Sequence, residues 1–225
     1  MTTTTQTSSV LTPLQQLSTN VYSDTMATPQ VAKWKKVTDI KINNLHQNKT
    51  WKLIPQPSNK RVIPPKLIYK NIFFTNRILS KHKCWFVFQG FWQKHGVEYT
   101  EMYAPTVHCE NLCLVLALAV AFDLEIHAMD VIAVFLHSPI EEEIYIEQPE
   151  GYVNPDHPDW VCGLLKSLYG LKQAPFKWNK SINVQLCVCG FIPVDADLCI
   201  FVLNLGSGLI TIIAIHVDDC TIAVH

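Results

Sequence analysis

Two adjacent aspartates, Asp218 and Asp219, lie between two apolar, β-rich runs of the sequence, residues 209–215 and 220–224. Aspartate is disfavoured inside strands but common in tight turns, so this pattern predicts a β-hairpin that carries both carboxylates at its tip. Like charges held this close repel each other unless a cation lies between them. Carboxylate oxygens with no soft ligand beside them suit Mg²⁺ or Mn²⁺. The pair therefore predicts a divalent metal site, and a solvated turn without any ligand is the alternative interpretation.

A third carboxylate, Asp130, ends another apolar stretch, residues 126–131. It lies far enough before Asp218 in the chain for a separate strand to return beside the hairpin. Three carboxylates from two neighbouring strands could hold two metal ions about 4 Å apart, as in polymerase-type phosphoryl transfer. The three aspartates together therefore predict a two-metal site.

The composition allows a sizeable core but gives no general signal for nucleic-acid binding. The chain has 225 residues, of which 48% are hydrophobic, enough for one large or two small domains. Its formal net charge is −1, whereas strong nucleic-acid binders usually have a basic excess. A polymerase would therefore need a local basic groove.

Eight cysteines lie mostly in apolar stretches, and no secretory signal pattern precedes them. They are predicted to be reduced core thiols of an intracellular protein. Two clusters, His108/Cys109/Cys113 and Cys187/Cys189, suggest a zinc-stabilised interaction module as one further hypothesis. Neither cluster has the Cys-x-x-Cys spacing of structural zinc sites, which argues against zinc.

The order of predicted elements indicates a mixed α+β domain. Residues 1–26 are rich in Thr and Ser and are predicted to form a disordered leader, followed by a domain over residues 27–225. One amphipathic helix is expected within residues 27–51, with Val31, Trp34, Val37 and Ile40 on one face. A second helix is expected at residues 174–189, ended by Gly190. An apolar segment, 111–122, is too short to span a bilayer and is predicted to be a buried core helix, so no membrane contact is expected. Strands are predicted at residues 50–55, 66–74, 85–91 and 144–147, and a hairpin at 201–213.

Five motifs occur in an order that resembles the reverse transcriptase domain of Ty1/copia-type retrotransposon Pol polyproteins. The segment KSLYGLKQAP at residues 166–175 is the most specific of them. The others are EYTEMYAP at 98–105, MDV at 129–131 with FL at 135–136, EIYIEQPEGY at 143–152, and HVDD at 216–219, which is similar to the family's YVDD. The resemblance runs from about Trp34 to the end of the chain.

This resemblance implies an RNA-directed DNA polymerase with right-hand fingers and palm, using two Mg²⁺ or Mn²⁺ ions, a template with a DNA primer, and dNTPs. Asp130, Asp218 and Asp219 fall on the catalytic, metal-binding positions, with Val131 as a further ligand. Phe135 falls where a ring excludes the 2′-hydroxyl of a ribonucleotide. Gln173, Val131 and Lys83 are the other nucleotide-binding positions. The family also implies an intracellular site, in a cytoplasmic particle or the nucleus, and the remainder of a Pol polyprotein as partner.

Several departures from the family pattern support a different hypothesis, a catalytically inactive retrotransposon relic with residual nucleic-acid binding. They mostly replace basic or polar residues, and they are Trp85, Gln89, His108, His137, Ser138, Phe176 and His216. Trp85 stands where the family has an arginine expected to grip the triphosphate, and an indole offers only one neutral N–H. The sequence also ends just past the hairpin, from which we expect no thumb and an unpaired last strand at 220–225.

Overall fold

The computed structural model describes residues 22–206 and 208–225, and within them the fold is α+β. The helices in this part of the chain are α1 Tyr22–Met26, α2 Val31–Gln47, α3 Cys109–Ala121 and α4 Ala174–Val188. The strands in the same residues are β1 Trp51–Pro55, β2 Val62–Ile63, β3 Lys66–Phe73, β4 Leu79–Val87, β5 Glu125–Asp130, β6 Tyr145–Ile146, β7 Trp160–Leu164, β8 Ile192–Val194, β9 Asp197–Gly206, β10 Leu209–His216 and β11 Asp219–Val224. Two 3₁₀ turns lie at Gly90–Trp92 and Val134–His137.

The N-terminal part of the chain packs α2 on two sheets. One is the antiparallel hairpin β3–β4, and the other is a four-stranded sheet in the order β1-β7-β6-β2. Helix α2 buries Trp34, Thr38, Ile42 and Leu45. The predicted helix is confirmed, but the predicted face is wrong. Residues spaced by three, as from Val31 to Ile40, rotate gradually around a helix that has 3.6 residues per turn. The buried residues are spaced by four, four and three, so they stay on one face.

The second part is a five-stranded antiparallel sheet in the order β5-β11-β10-β9-β8. Strand β11 lies between β5 and β10, so the expectation that the last strand lacks a neighbour is wrong. The edge strands of this sheet are β5 and β8, and all six residues of β5 are exposed. The predicted hairpin across residues 206–208 is confirmed as β9 and β10.

Helix α3 is not the buried core helix that its composition predicts. Its Val115 and Ala119 are 3% and 1% exposed and pack in a small cluster with residues of β10 and β11. By contrast, Leu114, Val120 and Phe122 are 57%, 82% and 53% exposed. Only one face of the helix meets the sheet, and no described layer covers the other face. No helix among the described residues is long and apolar enough to cross a membrane.

The start of the domain also differs from the prediction. Residues 1–21 of the expected leader lie outside the described residues. The last five residues of that segment form α1 rather than a disordered chain, and Tyr22 and Met26 pack against the main core.

The chain leaves β4 at Val87, earlier than predicted, because it packs tightly against a loop near α4. The backbone N–H of Phe88 donates to the carbonyl oxygen of Tyr169 over 2.8 Å. A Cβ on Gly90 would lie 2.1 Å from the carbonyl oxygen of Gly170, so only glycine fits this contact. The 3₁₀ turn at Gly90–Trp92 thus replaces the end of the expected strand.

Four of the eight cysteines are exposed, contrary to the prediction of core thiols. They are Cys109, Cys113, Cys187 and Cys189. Cys109 and Cys113 lie in the first turns of α3, and Cys187 and Cys189 lie at the end of α4. An apolar stretch of sequence therefore did not mean that its cysteines were buried. Cys162 and Cys199 are buried as predicted.

Candidate active site

The two aspartates of the hairpin lie at and beside a two-residue turn. His216 of β10 pairs with Asp219 of β11, so Val217 and Asp218 form the turn. Val217 has a φ of +59°, in the left-handed region that a β-branched residue seldom adopts. Glycine is the usual residue at such a turn position, so the backbone here is strained and must be held by its surroundings.

Asp130 lies directly opposite Asp219, because β5 pairs with β11 in register. The expectation that a separate strand returns beside the hairpin is therefore confirmed. The backbone N–H of Val131 donates to the carbonyl oxygen of Asp218 over 2.8 Å, which ties the end of β5 to the turn. All three aspartates are exposed. Cross-strand neighbours have Cβ atoms about 5 Å apart, so the carboxylates of Asp130 and Asp219 share one side of the sheet.

The donor set suits a hard divalent cation in its chemistry. Three exposed carboxylates on two adjoining elements offer oxygens only, the ligands preferred by Mg²⁺ and Mn²⁺. In residues 22–206 and 208–225, no three His, Cys, Asp or Glu side chains are already gathered closely enough to hold an ion. The three aspartates have suitable ligand atoms and lie on adjoining elements, but their side chains would have to rotate toward a shared ion. The His/Cys clusters gather no such set either, which leaves the zinc hypothesis without a site among these residues.

A cleft of about 620 Å³ opens beside the turn. It is lined by Val134, Phe135, Tyr169, Gly170, Leu171, Pro175 and the turn residues from His216 to Asp219. Phe135 is 9% exposed, and the centroid of its ring lies 5.8 Å from that of the exposed Tyr169. A ligand in this cleft would meet both aromatic side chains, Phe135 and Tyr169, and the carboxylates of Asp218 and Asp219.

Gln173 does not face this cleft. It is fully buried, its Oε1 accepts a hydrogen bond from Gln93 Nε2 at 2.9 Å, and its Nε2 donates to the carbonyl oxygen of Glu98 at 2.9 Å. The backbone N–H of Lys172 donates to Gln93 Oε1 over 2.8 Å. These bonds fasten the segment around residues 93–98 to the start of α4. The nucleotide contact of Gln173 stays a prediction, since its amide is already satisfied by protein groups.

The other predicted nucleotide-binding residues are placed separately. Lys83 is exposed on β4, with its Nζ 5.5 Å from the centroid of the Trp85 ring. The backbone N–H of Val131 already donates to the carbonyl oxygen of Asp218. Lys83 and Val131 are not among the residues that line the cleft. Their proposed roles are left as predictions.

Trp178 of α4 is a site residue that the sequence did not indicate. Its side chain is 5% exposed, and its indole Nε1–H donates to the carbonyl oxygen of Val217 over 2.7 Å. The motif QAP at residues 173–175 starts α4, with Pro175 in its first turn, and so sets the direction in which Trp178 points. In the sequence, the only sign of this role was the position of Trp178 three residues after the QAP motif. Its hydrogen-bond partner, Val217, is 39 residues away and could not be identified from local pattern.

The basic residues, which are not in excess over the whole chain, are concentrated in one segment of the sequence. Residues 40–97 contain no Asp or Glu, and their basic residues are Lys41, Lys49, Lys52, Lys60, Arg61, Lys66, Lys70, Arg77, Lys81, Lys83 and Lys94. The rest of the chain holds seven Lys and Arg and all nineteen Asp and Glu. Lys66, Arg77, Lys81 and Lys83 are exposed on the β3–β4 hairpin. A net charge near zero therefore conceals a strongly basic N-terminal part.

Comparison with known proteins gives a consistent family match. The model of the family described as reverse transcriptase (RNA-dependent DNA polymerase) matches residues 48–225. The chain is 33% identical over 191 residues to the retrovirus-related Pol polyprotein from transposon RE2 of Arabidopsis thaliana, covering 84% of this chain and 13% of that protein. It is 33% identical over 199 residues to the Pol polyprotein from transposon TNT 1-94 of Nicotiana tabacum, covering 88% and 15%. It is 31% identical over 179 residues to the transposon Ty1-BL Gag-Pol polyprotein of Saccharomyces cerevisiae, covering 79% and 10%. The chain thus spans between a tenth and a sixth of the length of these relatives.

Proposed function

Because the chain belongs to the reverse transcriptase (RNA-dependent DNA polymerase) family, with Ty1/copia-type transposon Pol polyproteins as relatives, we propose that it extends a DNA primer on a nucleic-acid template. The substrates are dNTPs, and the reaction is nucleotidyl transfer. We assign α2 and the sheets around it to the fingers, and the five-stranded sheet to the palm. By the same analogy, the domain works within a longer Pol polyprotein, inside the cell, in a cytoplasmic particle or the nucleus.

The observation that carries this proposal is the register of β5 and β11. It sets Asp130 opposite Asp219, with Asp218 in the adjoining turn and a cleft of about 620 Å³ beside them. Asp130, Asp218 and Asp219, with the backbone of Val131 as a further ligand, would hold two Mg²⁺ or Mn²⁺ ions. Such ions supply activation of the primer 3′-hydroxyl and stabilisation of charge on the reacting phosphate.

The cleft supplies orientation and selection. Its aromatic wall, Phe135 with Tyr169, offers an apolar surface for the sugar and base of an incoming nucleotide. Phe135 is held rigidly because it is packed in the main core, so it would exclude a 2′-hydroxyl by contact rather than by charge. Asp218 and Asp219, which also line the cleft, would repel free phosphate unless cations are present, so nucleotide binding would depend on the metal.

Primer extension tests the proposal directly. The purified chain receives an annealed RNA template and DNA primer, dNTPs, and Mg²⁺ or Mn²⁺. We expect extension that is lost in Asp218→Asn and retained in Asp195→Asn. Asp195 is a matched control because it is also exposed and lies in the same sheet region, between β8 and β9. Extension that survives Asp218→Asn would contradict the assigned site.

The second candidate function is an inactive relic that retains nucleic-acid binding. It is favoured by Trp85, which lies beside Lys83 on β4 where the family pattern has an arginine. A folded chain without extension activity, but with salt-sensitive nucleic-acid binding, would support this alternative over the polymerase.

Nucleic-acid binding is common to both candidates and is tested separately. Each phosphate contact by Lys or Arg adds about one unit to the slope of log affinity against log salt. We expect Lys81→Gln with Lys83→Gln to weaken filter binding for any sequence and to reduce that slope by about two. Lys180→Gln is the control, since Lys180 is exposed on α4 outside the basic segment. No binding at low salt would contradict both candidates.

A further inference from the structure

We propose that Trp178 is a positioning residue that holds the turn carrying the catalytic aspartates in its strained form. This inference rests on the proposed function, because it concerns the site assigned to Asp130, Asp218 and Asp219. Trp178 acts through the backbone of Val217, because its indole N–H donates to the Val217 carbonyl oxygen.

The first step of the argument is the strain itself. Val217 has a φ of +59°, and a valine there has its branched Cβ crowded against the backbone. A turn of this kind would relax, by a rotation of the Val217 peptide, unless other groups over-determine it. Such a rotation would move the Asp218 carbonyl and carboxylate, since the same peptide unit leads into Asp218.

The second step is that both carbonyls of the turn are held from outside the hairpin. The Val217 carbonyl oxygen accepts from Trp178 Nε1–H at 2.7 Å, and the Asp218 carbonyl oxygen accepts from the Val131 N–H at 2.8 Å. These donors come from α4 and from the end of β5, on two different elements. The turn is therefore clamped between the helix and the strand that carries Asp130.

The third step is that Trp178 cannot easily give up this bond. Its ring is 5% exposed and belongs to the main core, with the ring of His137 at 6.2 Å. The partly buried Val217 packs against the same core. An indole N–H that is buried without a partner is costly, so the ring and the turn fix each other. The two hydrogen bonds to the turn carbonyls thus fix the position of Asp218 relative to β5, the strand that carries Asp130.

Hydrogen exchange of the Val131 amide tests this inference without metal or activity. In Trp178→Phe, which keeps a large apolar ring but removes the N–H, we expect protection of Val131 to fall about tenfold. Protection of the Ile213 amide, in the middle of β10, corrects for changes in global stability. Trp34→Phe is the matched control, because Trp34 is equally buried at 4% exposed but lies on α2. In Trp34→Phe, protection of the Val131 amide should equal that in the unchanged protein once the change in Ile213 protection is subtracted.

A double-mutant cycle with Val217→Gly separates positioning from ordinary packing. Glycine adopts a φ of +59° without strain, so the turn no longer needs the clamp. We expect Trp178→Phe to lower Val131 protection less than threefold in the Val217→Gly background. A tenfold loss that persists there would assign Trp178 to general packing and overturn the inference, as would unchanged protection in Trp178→Phe alone.

Mn²⁺ binding, followed by the electron paramagnetic resonance signal of the free ion, connects the inference to the site. We expect Trp178→Phe to weaken Mn²⁺ about tenfold and Trp34→Phe to leave it unchanged. An unchanged protein that binds no Mn²⁺ would count against the proposed function alone, and the exchange experiment would still decide the role of Trp178. Binding of Mn²⁺ that is equal in Trp178→Phe and the unchanged protein would contradict the inference.

Discussion

The backbone N–H of Val131 donates to the carbonyl oxygen of Asp218 over 2.8 Å. This bond joins the residue after Asp130 to the residue before Asp219, so the three carboxylates are fixed by backbone contacts rather than by contacts between their side chains. The side chains themselves remain exposed and free to turn. Under the proposed function, such a site would keep its scaffold without metal and would close only when a cation offsets the charge.

The first prediction concerns the charge pair Asp130 and Asp219. Like charges directly opposite in a sheet are unfavourable, so Asp219→Asn should raise the free energy of unfolding without metal by about 0.2–1 kcal/mol. The same change should remove most of the stabilisation that Mn²⁺ gives. In the unchanged protein we expect that stabilisation to be about 2.7 kcal/mol at a hundredfold excess of Mn²⁺ over Kd. Thermal unfolding with and without Mn²⁺ measures both effects.

Asp195→Asn is the control for this experiment. It removes one exposed carboxylate from the same region of the sheet but leaves the pair intact, so its Mn²⁺ stabilisation should match that of the unchanged protein. An equal Mn²⁺ effect in Asp219→Asn would mean that the ion binds elsewhere.

The second prediction concerns the buried amide pair of Gln173 and Gln93. Gln173→Ala leaves the Gln93 amide and the Glu98 carbonyl without their partner in a buried setting. We expect the free energy of unfolding to fall by about 1–3 kcal/mol in a urea titration. In the Gln93→Ala background the further loss should be smaller, because the pair is already broken.

This experiment also decides between two roles for Gln173. If Gln173 is chiefly a nucleotide contact, Gln173→Ala will raise the KM for dNTPs and leave the free energy of unfolding unchanged. A loss of stability with an unchanged KM assigns it to the contact between the 93–98 segment and α4.

The hairpin and its aspartates were predictable because the signal is local. Two apolar, β-rich runs interrupted by Asp218 and Asp219 strongly favour two strands joined by a turn. Asp130 ends another run of the same kind. The exact register, Asp130 opposite Asp219, depends on two strands far apart in sequence. Local pattern favours pairing but does not choose between neighbouring registers.

The elements that the sequence did not reveal depend on distant partners. Gln173 is buried because Gln93, 80 residues earlier, meets it, and Trp178 finds Val217 39 residues later. Helix α3 was predicted to be buried because hydropathy records the character of a side chain and not whether another layer covers it. The basic segment was missed for another reason, since the net charge averages it with an acidic remainder.

The third prediction concerns Asp197, which stabilises the start of α3. Its carboxylate accepts hydrogen bonds from the backbone N–H of His108 at 3.0 Å and from Asn111 Nδ2 at 2.9 Å. Burial alone would raise the pKa of Asp197, but these bonds and one from the Cys199 N–H together lower its pKa below the ordinary range. His108, the N-cap residue just before α3, makes no side-chain capping hydrogen bond of its own.

The sign of the pH dependence follows from the lowered pKa. The contribution of Asp197 to stability is present above the unfolded carboxyl pKa of about 4 and is lost as pH falls through the lower folded pKa. Asp197→Asn should cost about 1–3 kcal/mol at neutral pH and should flatten the fall in stability below about pH 4. Urea titrations between about pH 2.5 and 7 measure this, and an unchanged slope in the variant would contradict it.

The fourth prediction concerns the cysteines. Burial raises the pKa of Cys162 to about 12 and that of Cys199 to about 11, and both side chains are covered. We expect iodoacetamide at pH 8 to label the four exposed thiols in the folded chain and to reach these two only after unfolding, since the thiolate is the reactive form. Mass spectrometry of peptides taken over time gives the rate for each cysteine.

The response of Cys109 to its neighbour Cys113 is a sharper test. Cys113 lies one helical turn after Cys109, and its proximity raises the pKa of the Cys109 thiol. Cys113→Ser should therefore increase the rate of Cys109, because the neighbouring thiol that opposes its ionisation is gone. Cys189→Ser, at the end of the other helix, should leave the rate of Cys109 unchanged. A rate for Cys109 that does not respond to Cys113→Ser would show that the two thiols do not interact in solution.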